Sequence, residues 1–251
     1  MKLYCDLHLH SCLSPCGDDD MTPNNIVNMA KLGGLTCIAL TDHNTCGNCR
    51  ATALAARQAG IGFLPGVEVS TAEDIHCVCL FPDCDRAETF SAELYRQLPP
   101  VRNRPDLFGR QLYLDWLDRP VGEEERLLLN ATGISIIQLP RLAEQYGGIC
   151  YPAHIDKNAN SVLAILGAVP AECGFDCLEL SPRYQSGSRP DVEAAISGKR
   201  VVVSSDAHYL WDIAEAEREF IPTGDALSRL ILANLPDINP TIPQSHIYPL
   251  P

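Results

Sequence analysis

Leu3-Tyr4-Cys5-Asp6-Leu7-His8-Leu9-His10 opens the chain with an alternating apolar run that reads as a β-strand rather than as a charged leader segment. Side chains two apart on a strand point to the same face, so His8 and His10 project together. Two imidazoles held side by side can bind one metal ion. In a parallel barrel that shared face is the interior.

Runs of the same kind recur at Thr36 to Leu40, Ile61 to Val69, His76 to Phe81, Gly148 to Tyr151, Phe175 to Leu180 and Arg200 to Ser204, with helix-like segments between several of them. This alternation predicts an α/β fold with a parallel sheet. Thr22-Pro23 starts a helix whose apolar face is Ile26, Val27 and Ala30, and Gly33-Gly34 stops it. A second helix is expected from Ser135 to Gly147-Gly148, kinked at Pro140. The stretch 82–147 breaks the rhythm. It is helix-like, carries Pro99-Pro100 and Pro105, and holds eight of the nineteen basic residues, all arginine, so it reads as an inserted cap. The proline-rich tail from Pro236 to Pro251 is expected to run extended over the surface.

With 251 residues and 46% hydrophobic content the chain can bury a full core, and 1–251 reads as one domain with that single insertion. No stretch of about 18 apolar residues is present, which leads to the expectation of a cytoplasmic protein without a membrane partner. Twelve cysteines in a chain of this length read as reduced thiols rather than a disulfide framework. The net charge of -13 argues against a nucleic-acid polymer as partner, because such binding draws on a basic face. A small phosphorylated substrate drawn to a locally positive site is compatible with it.

Six of the seven histidines fall in five short clusters: His8 with His10, then His43, His76, His154 and His208, most with an acidic neighbour. With Glu68 and an aspartate from Asp18-Asp19-Asp20 they supply ligands for more than one ion, and imidazole plus carboxylate favours zinc, manganese or iron over calcium. Most of these residues stand at or just after the C-terminal end of an apolar run, where parallel barrels carry their active sites. His76, at the start of its run, is the exception. A lone histidine such as His76 or His154 is ordinarily a hydrogen-bonded core or surface residue, and His246 in the tail is read that way. The set as a whole is what points to metal.

In order along the chain, Asp6-Leu7-His8-Leu9-His10-Ser11, Thr41-Asp42-His43, Gly66-Val67-Glu68, His76, Pro152-Ala153-His154 and Ser205-Asp206-Ala207-His208 resemble the motifs of the polymerase and histidinol phosphatase (PHP) family, as far as about Tyr209. The resemblance implies a distorted seven-stranded, TIM-like (β/α) barrel and a site of two or three divalent ions. It also implies metal-dependent hydrolysis of a phosphate ester of a small metabolite or nucleotide by a metal-bound hydroxide. Carried over by motif, His8, His10, Glu68 and Asp206 would hold a first ion. Glu68 would bridge to a second, shared with His76 and His154, and an aspartate, His43 and His208 would hold a third. Relatives often have Ser-Asp-Gly after the first motif, whereas this chain reads Ser14-Pro15-Cys16-Gly17-Asp18-Asp19-Asp20. Counting back from Thr22-Pro23, Asp18 takes the ligand place, with Asp19 and Asp20 as alternatives. Three divalent ions against Asp18, Glu68 and Asp206 would leave about +3 to attract a phosphate dianion.

Other residues carry weaker signals. Arg183, after the Phe175 to Leu180 run, is placed to touch phosphate, and Arg102, Arg104 and Arg110 could close over a substrate, as could Lys157 from beside His154. Asp6 and Asp42 could orient imidazoles or cap turns. Cys12, Cys16, Cys46 and Cys49 flank the expected mouth, where scattered thiols are a simpler reading than a zinc or iron-sulfur site. Two rival functions stand beside phosphoester hydrolysis. One is an amidohydrolase-like enzyme, which would use a bridging carboxylated lysine, although no lysine lies between Lys31 and Lys157. The other is a noncatalytic metal-binding module that supports a partner.

Overall fold

The structure, a computed structural model, describes residues 2–236; His246 and the tail from 237 onward lie outside the described residues. The strands are β1 (Leu3–Asp6), β2 (Cys37–Leu40), β3 (Gly62–Ser70), β4 (His76–Leu80), β5 (Leu112–Leu114), β6 (Pro120–Glu123), β7 (Ile149–Pro152), β8 (Cys177–Leu180), β9 (Arg200–Val203) and β10 (Glu219–Phe220). The helices are α1 (Pro23–Leu32), α2 (Cys49–Ala59), α3 (Cys84–Gln97), α4 (Pro105–Phe108), α5 (Leu139–Gln145), α6 (Val162–Leu166), α7 (Pro190–Ile196) and α8 (Ala226–Ala233). Among the described residues no helix is long and apolar enough to cross a membrane.

All seven apolar runs form strands, and the fold is mixed α/β. The expectation of a parallel seven-stranded barrel needs correction: the continuous ladder is a curled half-barrel of six strands in the order β10-β1-β2-β3-β4-β7, and β8 and β9 pair in parallel as a separate sheet. Within the six-stranded ladder, parallel pairing holds only across β1, β2 and β3; residues 71–75 join β3 to β4 too briefly for a crossover, which forces an antiparallel pair there. That reversal explains His76. The start of an antiparallel β4 lies beside the end of β3, with Ser70 opposite His76 and Glu68 opposite Val78. The β8–β9 pair is tied to the larger sheet at its site end. Ile155 N donates to Glu179 O at 2.9 Å, Asp206 N to His8 O at 3.0 Å and His10 N to Ala207 O at 3.0 Å.

Apolar side chains pack in two layers that follow the strand alternation. Leu64, Val78, Leu80, Tyr151 and Val202 share one buried cluster with Leu227, Leu230 and Ile231 of α8, whereas Val67, Val69, Cys77 and Cys79 pack with Ile26 of α1 and Phe90 of α3. Helix α1 starts as its sequence predicts, with the Thr22 side chain accepting from Asn25 N and Pro23 in the first turn. Helix α5 starts later than expected, at Leu139: Pro140 fits the first turn and does not kink it, and Ser135 to Gln138 forms a separate turn.

The stretch 82–147 holds α3, α4 and the β5–β6 hairpin, and it rests on the loops that carry His10 and His43. Leu112 N donates to Cys12 O at 3.0 Å, Asn48 bonds both Leu112 O and Leu114 N at 3.0 Å, and Asn44 Nδ2 donates to Leu128 O at 2.7 Å. Asp118 accepts from the Thr22 hydroxyl at 2.6 Å and from Asn24 N at 3.1 Å, which joins the hairpin to the start of α1.

Gly66, in the middle of β3, is a tight point of the framework. A Cβ there would lie 2.8 Å from both Leu80 Cδ2 and Thr41 Cγ2 and 2.9 Å from the Cys79 carbonyl oxygen. Gly66→Ala is therefore expected to destabilise the fold by about 1–3 kcal/mol in urea unfolding. An unchanged midpoint would show that the pinch is relieved at no cost.

Candidate metal centre

Glu68, on the second half of β3, is the hub of the site. Its carboxylate is buried and lies within 3.0–3.4 Å of five imidazoles: His43 Nδ1 and His76 Nδ1 at 3.0 Å, His8 Nε2 and His154 Nε2 at 3.3 Å, and His10 Nε2 at 3.4 Å. Asp206 Oδ1 stands 3.1 Å from His10 Nε2 and 3.3 Å from His8 Nε2. Three groups have all their ligand atoms within 4.8 Å of one another: His8, His10, Glu68 and Asp206; His43, Glu68 and His76; and His10, His43 and His208. His154 joins the second group through its approach to Glu68.

The strand ends aim these groups by unusual backbone. His154 and Asp206 have φ of +31° and +54°, and Asn44, just after His43, has φ of +53°. L-residues adopt this region at a cost, so the surrounding hydrogen bonds must hold them there. Asp6 does so for the Asp206 loop, since its carboxylate accepts from Ser205 N at 2.9 Å and Ala214 N at 3.0 Å. Of the two roles open to Asp6, it fills that of a turn anchor.

Asp42 fills the other role. Its carboxylate accepts the Ser14 hydroxyl at 2.7 Å, so the Ser14 oxygen is left to accept from His10 Nδ1 at 3.0 Å. This fixes the tautomer and leaves His10 Nε2 to face the centre. Glu179 does the same for His8, at 2.9 Å from Nδ1, while also accepting from His154 N at 3.1 Å. Sequence reasoning missed both Ser14 and Glu179. The available signal for Glu179 was a charge inside the apolar run Cys177-Leu178-Glu179-Leu180, where it is wholly buried.

The electrostatics suit a cation. Burial opposes ionisation of Glu68, yet His76, His8 and His43 hold its carboxyl well below the usual range, and despite burial His8 and His10 do the same for Asp206. Burial also opposes a charged His10, but Asp206 and Glu68 outweigh it and raise that imidazole to about 9. Burial pushes His43 down to about 4 and His208 down to about 3, leaving both neutral and free to donate lone pairs at pH 7. His43 Nδ1 and Glu68 Oε2 are buried without a hydrogen-bond partner although they stand 3.0 Å apart, and His8 Nε2 and His10 Nε2 face each other at 3.2 Å. Protons on so few sites cannot satisfy all these lone pairs, whereas divalent cations of the zinc, manganese or iron type fit them.

The cluster opens into a cavity of about 520 Å³ lined by His76, His154, Lys157, Asn158, Asn160 and His208 among others. Several residues singled out in the sequence are not brought to it. Asp18 is tied to the site only through its backbone, with N–H to His208 O at 2.9 Å; its carboxylate accepts from Asp20 N, and neither it, Asp19 nor Asp20 belongs to the three ligand groups. Arg183 is exposed and outside the cavity wall. Arg104 pairs with Asp106 and Arg110 with Glu123, while Arg102 is exposed and also outside the wall. Cys12 packs with Leu112 and Leu114, Cys49 donates to Leu40 O and Gly66 O, and no cysteine enters a ligand group among the described residues.

Comparison with known proteins agrees with this geometry. Over 73 residues the chain is 41% identical to a 3',5'-nucleoside bisphosphate phosphatase of Chromobacterium violaceum, covering 29% of this chain and 25% of that protein. Over 78 residues it is 37% identical to a 5'-3' exoribonuclease of Haemophilus influenzae, covering 30% and 27%. The matched stretch thus spans about a quarter of either relative. Among solved structures, an amidohydrolase from Chromobacterium violaceum with bound sulfate and no metal superposes with a TM-score of 0.62 at 20% identity, over 91% of this chain and 96% of that one. Endonuclease Q in complex with a 27-mer duplex carrying an abasic lesion has a TM-score of 0.56 at 19% identity, over 84% and 50%.

The expectation that excluded a nucleic-acid polymer does not stand, since one relative is an exoribonuclease and endonuclease Q, half of which shares this fold, forms a complex with a duplex. The net charge of -13 counts the whole surface, whereas a strand meets only the mouth of the site, where the local field decides. Residues 6–155 match the PHP domain as a family. The chain belongs to the PHP domain family.

Proposed function

We propose that this chain is a metal-dependent phosphoesterase that hydrolyses a phosphate ester of a small metabolite or a nucleotide, including nucleotides within a strand. The observation that carries the reading is the Glu68 carboxylate buried among five imidazoles beside an open cavity. We assign His8, His10, Glu68 and Asp206 to one ion, Glu68, His76 and His154 to a second, and His43 and His208 to a third, which Asp18 would complete by turning its carboxylate away from Asp20 N. When bound, divalent ions neutralise phosphate charge and lower the pKa of water. The chain's own part is positioning: Glu179 and Ser14 aim Nε2 of His8 and His10, and the raised backbone φ of His154 and Asp206 turns both side chains into the cavity.

The names of the two relatives, a nucleoside bisphosphate phosphatase and an exoribonuclease, favour a nucleotide phosphoester over other small esters. Glu68 occupies the bridging place that a carboxylated lysine would take in the amidohydrolase-like alternative. An open cavity beside the ligands favours catalysis over a noncatalytic module. In the same reading the strands from β1 to β4 with β7, β8 and β9 form a distorted seven-stranded ring, 82–147 acts as its cap, and 1–251 is one domain. Twelve thiols suit a reducing, cytoplasmic setting.

With manganese or zinc, the purified chain is expected to release phosphate from an aryl phosphate or a nucleotide, and His10→Ala to abolish the release; full activity in that variant would remove His10 from its role. Glu179→Gln is expected to weaken cation binding by about 10–100-fold through loss of the His8 anchor. Calorimetric affinity equal to that of the unsubstituted chain would refute this. Because His10 in the cation-free protein holds its proton up to about 9, cation uptake at pH 7 must expel protons, so affinity should rise with pH. The check is the heat of binding in buffers of different ionisation enthalpy, where identical heats would mean that no proton leaves.

A further inference from the structure

Lys157 lies on the loop after β7, and its ammonium forms an ion pair with Asp206 Oδ2, the oxygen that does not face His8 and His10. It is the only lysine or arginine in the cavity wall among the described residues. Its backbone is held, with N–H to His154 O at 2.9 Å and its carbonyl accepting the Ser161 hydroxyl at 2.6 Å, while the side chain is 41% exposed toward the cavity. One carboxylate therefore faces a cation position on one oxygen and a lysine on the other.

We propose that Lys157 couples cation binding to phosphate binding: in the empty site its ammonium is the counter-charge of Asp206, and in the loaded site it turns into the cavity and takes an oxygen of the substrate phosphate. The inference rests on the cation-site reading above. A divalent ion and an ammonium on the two oxygens of one buried carboxylate repel each other, and little solvent is present to screen them. The four-carbon stem with three rotatable donors reorients readily, and a phosphate dianion in the cavity offers the displaced ammonium a new partner. Lys157 thus opposes the cation alone and favours cation with phosphate, and by linkage each ligand strengthens the other.

The test is a calorimetric titration of the full chain with Mn²⁺, with and without sulfate as a soluble tetrahedral dianion. Lys157→Met is expected to bind Mn²⁺ about tenfold more tightly than the unsubstituted chain when sulfate is absent, within the range of coupling between sites. Sulfate should strengthen Mn²⁺ binding in the unsubstituted chain and in Lys157→Arg, which keeps the charge, and not in Lys157→Met. Equal Mn²⁺ affinity and an equal sulfate effect in Lys157→Met would overturn the coupling alone. Failure of the unsubstituted chain to bind Mn²⁺ would overturn the cation-site reading and the coupling with it.

Discussion

One buried carboxylate amid imidazoles governs this molecule. Glu68 is 1% exposed and has lost nearly all contact with water, a situation that strongly disfavours a charge unless partners are brought in at close range. Five histidine rings are those partners, and four separate parts of the chain must deliver them, His8 and His10 together. The arrangement of strands, the turns at their ends and the hydrogen bonds beneath them can be understood as ways of making that delivery.

Strand β3 is central to it because its two halves serve different neighbours. Gly62 to Pro65 pairs in parallel with β2, and Gly66 to Ser70 pairs antiparallel with β4. The first half fixes the loop that carries His43, and the second sets His76 next to Glu68. Behind the ligands, Asp42 through Ser14, and Glu179 directly, orient His10 and His8, so a buried polar layer separates the centre from the apolar layers. Such a network rigidifies its members only when every donor and acceptor is matched. Its unmatched atoms include Glu179 Oε2 behind the ligands and, at the centre itself, His43 Nδ1 and Glu68 Oε2.

Much of this was legible in the sequence. Short apolar or alternating runs marked every strand of the central framework except β10, and histidine placement marked six residues that do converge. Strand direction was not legible, because alternation is the same in a parallel and an antiparallel strand; the short link at 71–75 was the overlooked clue. The β5–β6 hairpin and β10 were invisible for a different reason. They are short, and β6 is exposed along its whole length, so no buried face imposes a pattern. Glu179 escaped because its partner His8 is 171 residues away, and Ser14 because its role needs Asp42, 28 residues on, to be brought beside it. The charge-based exclusion of nucleic acid failed because a sum over the surface carries no information about any one face.

The clasp between the two ends of the framework has a kinetic meaning. His10 and Asp206 are 196 positions apart, and the bonds that join their segments, from Asp206 N to His8 O and from His10 N to Ala207 O, can form only once the last ligand loop has been synthesised. Contacts this distant in sequence carry a large loop-closure cost and close late. On a ribosome, where the N-terminal strands emerge first, those strands must wait with His8 and His10 in hand. Capture of cations by the complete centre is then among the final events of folding, and a nascent chain cannot acquire it early.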